Sequence, residues 1–346
     1  IIFQDQHYNS FPNVIHHDGE LLVAFRQAPD RRALFHKNLH IDPASKAVYV
    51  TSSDNGENWD EKPFVLYDDF YLGVQDPCIT LLRDGTLFCS FFTWEVVAKD
   101  YVHENNKYRE IEGKWMARLG GIFTTRSYDG GKSWDAPLPL HTKVAAAVRG
   151  NVVELNDGSI LLPYYIHGKA FVVHSPNKGK TWGSVSTMAS EEGITFHEPN
   201  LYQTKSGKLV AFIRSSIQDD QLPNDQRHPL VTCESHDQGR TWVNHQKHAI
   251  FSPSPFHALR LQSGNVLLTY GHRHKPYGIR ALLLDPDCSN IDEAEQIILR
   301  DDGLGFDIGY TSSVQLDNGD ILVTYYDYDE QHELRYIAGT LCRERS

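Results

Sequence analysis

One eight-residue pattern occurs four times and constrains the fold more than any other feature of the chain. It reads Ser-x-(Asp/Asn)-x-Gly-x-(Ser/Thr/Asn)-Trp. The copies are Ser52/Asp54/Gly56/Trp59, Ser127/Asp129/Gly131/Trp134, Ser175/Asn177/Gly179/Trp182 and Ser235/Asp237/Gly239/Trp242. The pattern predicts a hairpin turn. The Asp or Asn side chain folds back on the backbone, Gly takes a positive φ, and Trp fills the gap between strands. The stretch 284–289 stands where a fifth copy falls and reads as a degenerate one.

A longer repeat accompanies the boxes. Six stretches, 11–26, 76–92, 149–165, 198–214, 255–273 and 310–326, each read as strand, Gly-containing turn and apolar strand. The turn glycines are Gly19, Gly85, Gly158, Gly207, Gly264 and Gly319. The strands after them are near-continuous apolar or aromatic runs, as for strands covered on both faces. No long segment has helical period; candidates such as 292–298 are short. Six units with room for about four strands each predict an all-β fold, a six-bladed β-propeller built as one domain over 1–346. Its blades open near 11, 76, 149, 198, 256 and 310. The last unit has room for about three strands, so residues 1–3 are expected to close the ring.

Composition narrows the function classes. There are 33 basic and 45 acidic residues, a formal net charge of −12. That balance argues against nucleic acid as a partner, though local arginines can still hold a small anion. No apolar run approaches the roughly 20 residues of a membrane span. The five cysteines are scattered, with no CxxC pair, and no HExxH or comparable motif is present, so neither a disulfide framework, a metal nor another cofactor is implied. The chain opens on Ile1, so a leader or start residue is expected to have been removed, which is compatible with secretion or a periplasmic location.

Counting nine residues back from each turn glycine gives Ser10, Asp76, Arg149, Glu198, Pro255 and Tyr310. Counting seven forward gives Arg26, Phe92, Tyr165, Arg214, Gly271 and Tyr326, with Arg273 two residues further on. Both rings fall at the same end of their hairpins and should meet at one mouth of the propeller. Charged groups concentrated there read as a site, although any single one could be a solvated rim group. Arg280, His197 and His257 could join this cluster or be satisfied structural groups.

The boxes resemble the Asp-box, or BNR, repeats, and residues 11–341 are similar to the sialidase superfamily of six-bladed propellers. More specific is His197-Glu198-Pro199 with Gly207 and Arg214, similar to the family's block in which Glu opens and Arg closes a hairpin. Gly309-Tyr310, followed by Asp317 and Gly319, resembles its catalytic tyrosine segment. The resemblance implies an exo-acting glycoside hydrolase that releases a terminal anionic sugar, sialic acid or a related 2-keto acid sugar. Tyr310 would be the nucleophile and Glu198 its base, with Arg214 and Arg273 on the substrate carboxylate. Arg149, Arg280, His197 and His257 are further substrate-binding candidates. The family's Phe-Arg-Ile-Pro is replaced by Asn9-Ser10-Phe11-Pro12, so its first arginine is missing and Arg26 is the candidate replacement. The acid/base Asp of the family lies in the loop that here spans 27–46 and offers Asp30, His36, His40 and Asp42. His40 and Asp42 are favoured, with Asp76 on the next blade as an alternative. Two other readings stay open. One is a propeller glycosidase or lyase acting on uronic acid or rhamnose-containing polysaccharide through His40, His197, His257 and Tyr310. The other is a carbohydrate-binding propeller without turnover.

Overall fold

Six antiparallel sheets follow one another along the chain, and each is a blade of a β-propeller. The computed structural model describes residues 1–37, 39–102, 108–142, 144–328, 330 and 334–344. Blade one comprises His7–His17, Glu20–Pro29, Lys46–Ser52 and Phe64–Tyr67. The inner strands of blades two, four, five and six are Leu72–Leu81, Ile194–Gln203, Phe256–Arg260 and Gly309–Gln315. In blade three the inner strand is broken into Ala146–Ala147 and Val153–Glu154, both paired with Ile160–Ile166. The short helix-like candidate at 292–298 is not a helix; residues from Gln296 onward enter the outer strand Gln296–Gly303 of blade five. Among the described residues no helix is long and apolar enough to cross a membrane.

Closure is lighter than a full strand. Phe3 forms one antiparallel bridge with Ile337 on the third strand of blade six. Its N–H donates to the Ile337 carbonyl at 3.1 Å and its carbonyl accepts from the Ile337 N–H at 2.9 Å.

The apolar core is divided among the seams. Among the described residues it falls into six clusters, one for each pair of neighbouring blades. The seam between blades six and one joins Phe3, Phe11 and Phe25 to Tyr310, Leu322 and Tyr326. Blade faces are buried only against their neighbours, so the ring is the unit of stability.

The boxes form the turns their sequence predicts, and Trp59 Nε1 donates to the Gly56 carbonyl of its own box at 3.0 Å. Asp129 accepts from the Ser133 N–H at 2.9 Å and from its Oγ at 2.6 Å, and Asp237 does the same to Thr241. The degenerate copy keeps this geometry, with Asp285 accepting from the Ser289 N–H and Oγ. Instead of filling a gap within its own hairpin, each box from the second to the fourth leans on the preceding blade. Trp182 meets Phe88 edge-on, Trp242 Nε1 donates to Ser186 Oγ at 3.2 Å, and the Gly131 carbonyl accepts from Tyr49. The box is a clasp across a seam.

Candidate active site

Four inner strands carry a bulge at the same height. The register slips between Ser10 and Asn13, Gln75 and Cys78, His197 and Asn200, and Gly309 and Ser312. Within these bulges Phe11, Asp76, Glu198 and Tyr310 have φ values of 59°, 51°, 46° and 54°. A positive φ in non-glycine residues is sparsely populated and costs on the order of 1–3 kcal/mol each, and such strain gathers at functional sites. A bulge also re-aims a side chain. Here three bulges bring Asp76, Glu198 and Tyr310 into one buried electrostatic cluster.

In blade one the bulge residue is Phe11 and not Ser10. The hairpin turn there has two residues, with His17 paired to Glu20. Blades two, four and six pair Leu81 with Leu87, Gln203 with Leu209 and Gln315 with Ile321 across longer turns. A fixed count from the glycine therefore lands one residue short in blade one.

The centre is a three-residue network. Tyr310 donates its hydroxyl to Glu198 Oε1. Arg214 Nη1 donates to Glu198 Oε2 at 2.7 Å and to the Tyr310 hydroxyl at 3.4 Å. Arg214 comes from the second strand of blade four, cross-strand from His197, which precedes Glu198. Burial pushes the Glu198 carboxyl up, but the Arg214 charge and the bonds from Tyr310 and Arg214 outweigh it and hold it below the usual range. Burial, then the Glu198 charge, drives the Tyr310 phenol well above its ordinary value. A neutral phenol therefore points at an ionised carboxylate.

The arginines divide into two kinds. Arg149 stacks over the Tyr310 ring at 5.2 Å, and its guanidinium donates to the carbonyls of Phe11, Pro12 and Tyr310. It pins two bulges together. Arg273 lies over the same ring at 5.1 Å and bonds the Ile308 and Pro253 carbonyls and the Tyr326 hydroxyl. Those three bonds leave part of its five-donor fork uncommitted. Arg214 exposes 23% of its side chain. Arg26 is fully buried, and among the described residues its Nε and Nη1 have no hydrogen-bond partner. It pairs in register with Ser10, beside the place of the missing arginine. Arg280 is not part of the cluster. It bonds the carbonyls of Ile279, Pro276 and Arg300 in the outer half of blade five.

Asp76 is 1% exposed, and among the described residues its Oδ1 has no hydrogen-bond partner. Burial raises its carboxyl to about 7 against the pull of Arg149, and the Glu198 charge adds to the rise. Asp42 is not free to act at the centre: Arg31 grips both its oxygens at 2.8 and 3.1 Å, because the residues face each other across one short loop. Asp30 is held in the same way by Arg32. His197 stands edge-on to Tyr165, with its imidazole lowered by burial. His257 Nδ1 lies 3.1 Å from Ser313 Oγ, and burial and then Arg149 push it down to about 3. Among the described residues neither histidine hydrogen-bonds Tyr310.

One carboxylate that carries no repeat signal is central. Asp307 accepts from Tyr8 at 2.8 Å, Tyr326 at 2.7 Å and Arg335 at 3.0 Å, and lies 2.9 Å from His40 Nε2. Burial acts against its charge, but His40, Arg335 and Arg273 hold it well below the usual range.

The fold is a six-bladed Asp-box propeller that brings a tyrosine, a carboxylate and an arginine together, and comparison identifies its family. The model of the BNR repeat-like domain matches residues 47–323, and the chain belongs to that family. A protein of unknown function from Dyadobacter fermentans DSM 18053 is 34% identical, with 100% of this chain and 97% of that one covered and a TM-score of 0.88. The NanB sialidase of Streptococcus pneumoniae is 14% identical over 99% of this chain and 70% of that one, with a TM-score of 0.73. The intramolecular trans-sialidase from Ruminococcus gnavus is 12% identical over 96% and 94%, with a TM-score of 0.64. Comparison with curated protein sequences found no match. The kinship with these sialidases is one of fold.

Proposed function

We propose that the protein is an exo-acting glycoside hydrolase that releases a terminal 2-keto acid sugar with retention, through Tyr310 as nucleophile. The observation that carries this reading is the hydrogen bond from the Tyr310 hydroxyl to a Glu198 held ionised by Arg214. Sialidases with their tyrosine nucleophile are the stated exception among retaining glycosidases. The physical reason is charge. Such a sugar bears a carboxylate on its anomeric carbon, and an attacking carboxylate would meet repulsion of about 1–4 kcal/mol at about 4 Å, depending on screening. A phenol avoids that cost and gives its proton to Glu198 as it attacks. Bidentate guanidinium–carboxylate pairing would fix the substrate. Arg214 and Arg273 would form the clamp, and the unpartnered Nε and Nη1 of Arg26 support its entry in place of the missing arginine.

A panel of aryl α-ketosides of sialic acids and aryl uronides, read by phenol release, tests the substrate class. Turnover of the ketosides, lost in Tyr310→Phe, is the expected result. Cleavage of uronides alone, or an unsaturated product absorbing in the ultraviolet, would transfer the site to a different glycosidase or a lyase. Binding without product would make it a lectin-like propeller.

A further inference from the structure

We infer that His40, oriented by Asp307, is the proton donor and acceptor of the reaction, in place of an aspartate. This rests on the reading of Tyr310 as nucleophile.

The loop between the second and third strands of blade one is where a separate acid is sought. Its carboxylates are spoken for: Asp30 bonds Arg32, and Asp42 is gripped by Arg31. His40 is different. Its ring stands edge-on to Phe11 at 5.2 Å, and Phe11 in turn lies 4.7 Å from Tyr310. Its side chain is 39% exposed, so solvent reaches it. Nε2 faces Asp307 Oδ1, and an ionised carboxylate can only accept, which places a hydrogen on Nε2 and leaves Nδ1 as the nitrogen that can exchange a proton. A buried carboxylate that fixes the tautomer and compensates the imidazolium is the arrangement by which a histidine is made an acid and base.

The same carboxylate ties His40 to the anion clamp. Arg273 Nη2 donates to the Tyr326 hydroxyl at 2.7 Å, and Tyr326 donates to the Asp307 oxygen that faces His40. One continuous network therefore runs from the arginine over Tyr310 to the imidazole. Asp307 acts through His40 and is a positioning residue.

In the first step, with His40 as the imidazolium, the glycosidic C–O bond breaks, its electron pair goes to the leaving oxygen, and that oxygen takes the Nδ1 proton, leaving His40 neutral with its hydrogen on Nε2. The Tyr310 oxygen bonds the anomeric carbon while its proton passes to Glu198. In the second step water attacks that carbon and gives a proton to His40. The bond to Tyr310 breaks, and Glu198 returns the proton to the phenolate.

The test is leaving-group dependence. Wild type, His40→Ala, His40→Gln, Asp307→Asn, Asp42→Asn and Asp76→Asn are assayed on two sialic acid α-ketosides, one with an acidic phenol as leaving group and one with a sugar alcohol. An acidic phenol departs without a proton; an alcohol needs one. Loss of general acid catalysis should slow His40→Ala on the alcohol substrate by about 10²–10⁴-fold and far less on the phenol. Asp307→Asn should share that asymmetry to a smaller degree, and Asp42→Asn should not. Equal losses on both substrates, or the asymmetry appearing in Asp76→Asn instead, would overturn the assignment. Thermal melting checks the fold, and His40→Gln serves if the alanine variant does not fold. If wild type cleaves neither ketoside, the Tyr310 reading falls and this one with it. If it cleaves both and His40 variants show no asymmetry, only the present inference falls.

Discussion

Tyr310 and Glu198 lie 112 positions apart in sequence, on inner strands of blades six and four, yet the phenol donates directly to the carboxylate. Both occupy positive-φ bulges, and Arg214 bonds them both. The pair exists only because the ring closes, so its integrity reports on fold and site together.

Tyr310→Phe removes the proposed nucleophile without changing shape. Steady-state turnover of an aryl α-ketoside should fall by roughly 10³-fold or more. The Glu198 oxygen left without its donor should cost about 1–3 kcal/mol in denaturant unfolding. Circular dichroism should be unchanged.

Glu198→Gln leaves the Arg214 guanidinium without its counter-charge. Turnover should drop by about 10²–10⁴-fold, as for loss of a positioned base. Stability should fall by about 3 kcal/mol, the lower end for breaking a buried pair, because Arg214 is partly open to water.

Asp76 has a stability signature of its own. Its folded carboxyl titrates at about 7, above its ordinary value. Below the unfolded value both states are protonated and nothing is lost. Between about pH 4 and 7 only the unfolded state gives up its proton, so stability falls as pH rises. Asp76→Asn removes that liability. The melting temperature of the variant relative to wild type should therefore climb from pH 4 to pH 8, and a difference independent of pH would contradict the cause.

Gly179 tests the clasp between blades. Its φ is 77°, and a Cβ there would fall on the Arg126 guanidinium and 2.7 Å from the Phe88 ring of blade two. Gly179→Ala should cost about 2–4 kcal/mol, combining left-handed strain with overpacking. Equilibrium denaturation measures this directly.

Much of this was legible in the sequence because repeats carry their own register. The Gly turns and the boxes mark the hairpins, and the same spacing brought Asp76, Glu198, Arg214 and Tyr310 to one height. The count failed by one residue in blade one, where a two-residue turn replaced the longer one and put Phe11 in the bulge. It reached Arg273 only by stepping two residues past the register position and left Arg280 as a further candidate, since which strand faces the axis is a property of the closed ring. Asp42 looked available because its partner Arg31 is a local loop contact with no periodic mark. Asp307 was invisible for a similar reason. It precedes the inner strand of blade six in an irregular segment, and its partners Tyr8, His40, Tyr326 and Arg335 come from four separate stretches of chain.

Trapping the covalent intermediate tests the central claim most directly. Incubation with a 3-fluoro sialosyl fluoride, which slows the second step more than the first, should add one sugar to the intact protein by mass spectrometry. Peptide mapping should place that mass on Tyr310, and Tyr310→Phe should remain unlabelled. A label on a carboxylate, or turnover of the reagent by the Phe variant at the wild-type rate, would contradict it.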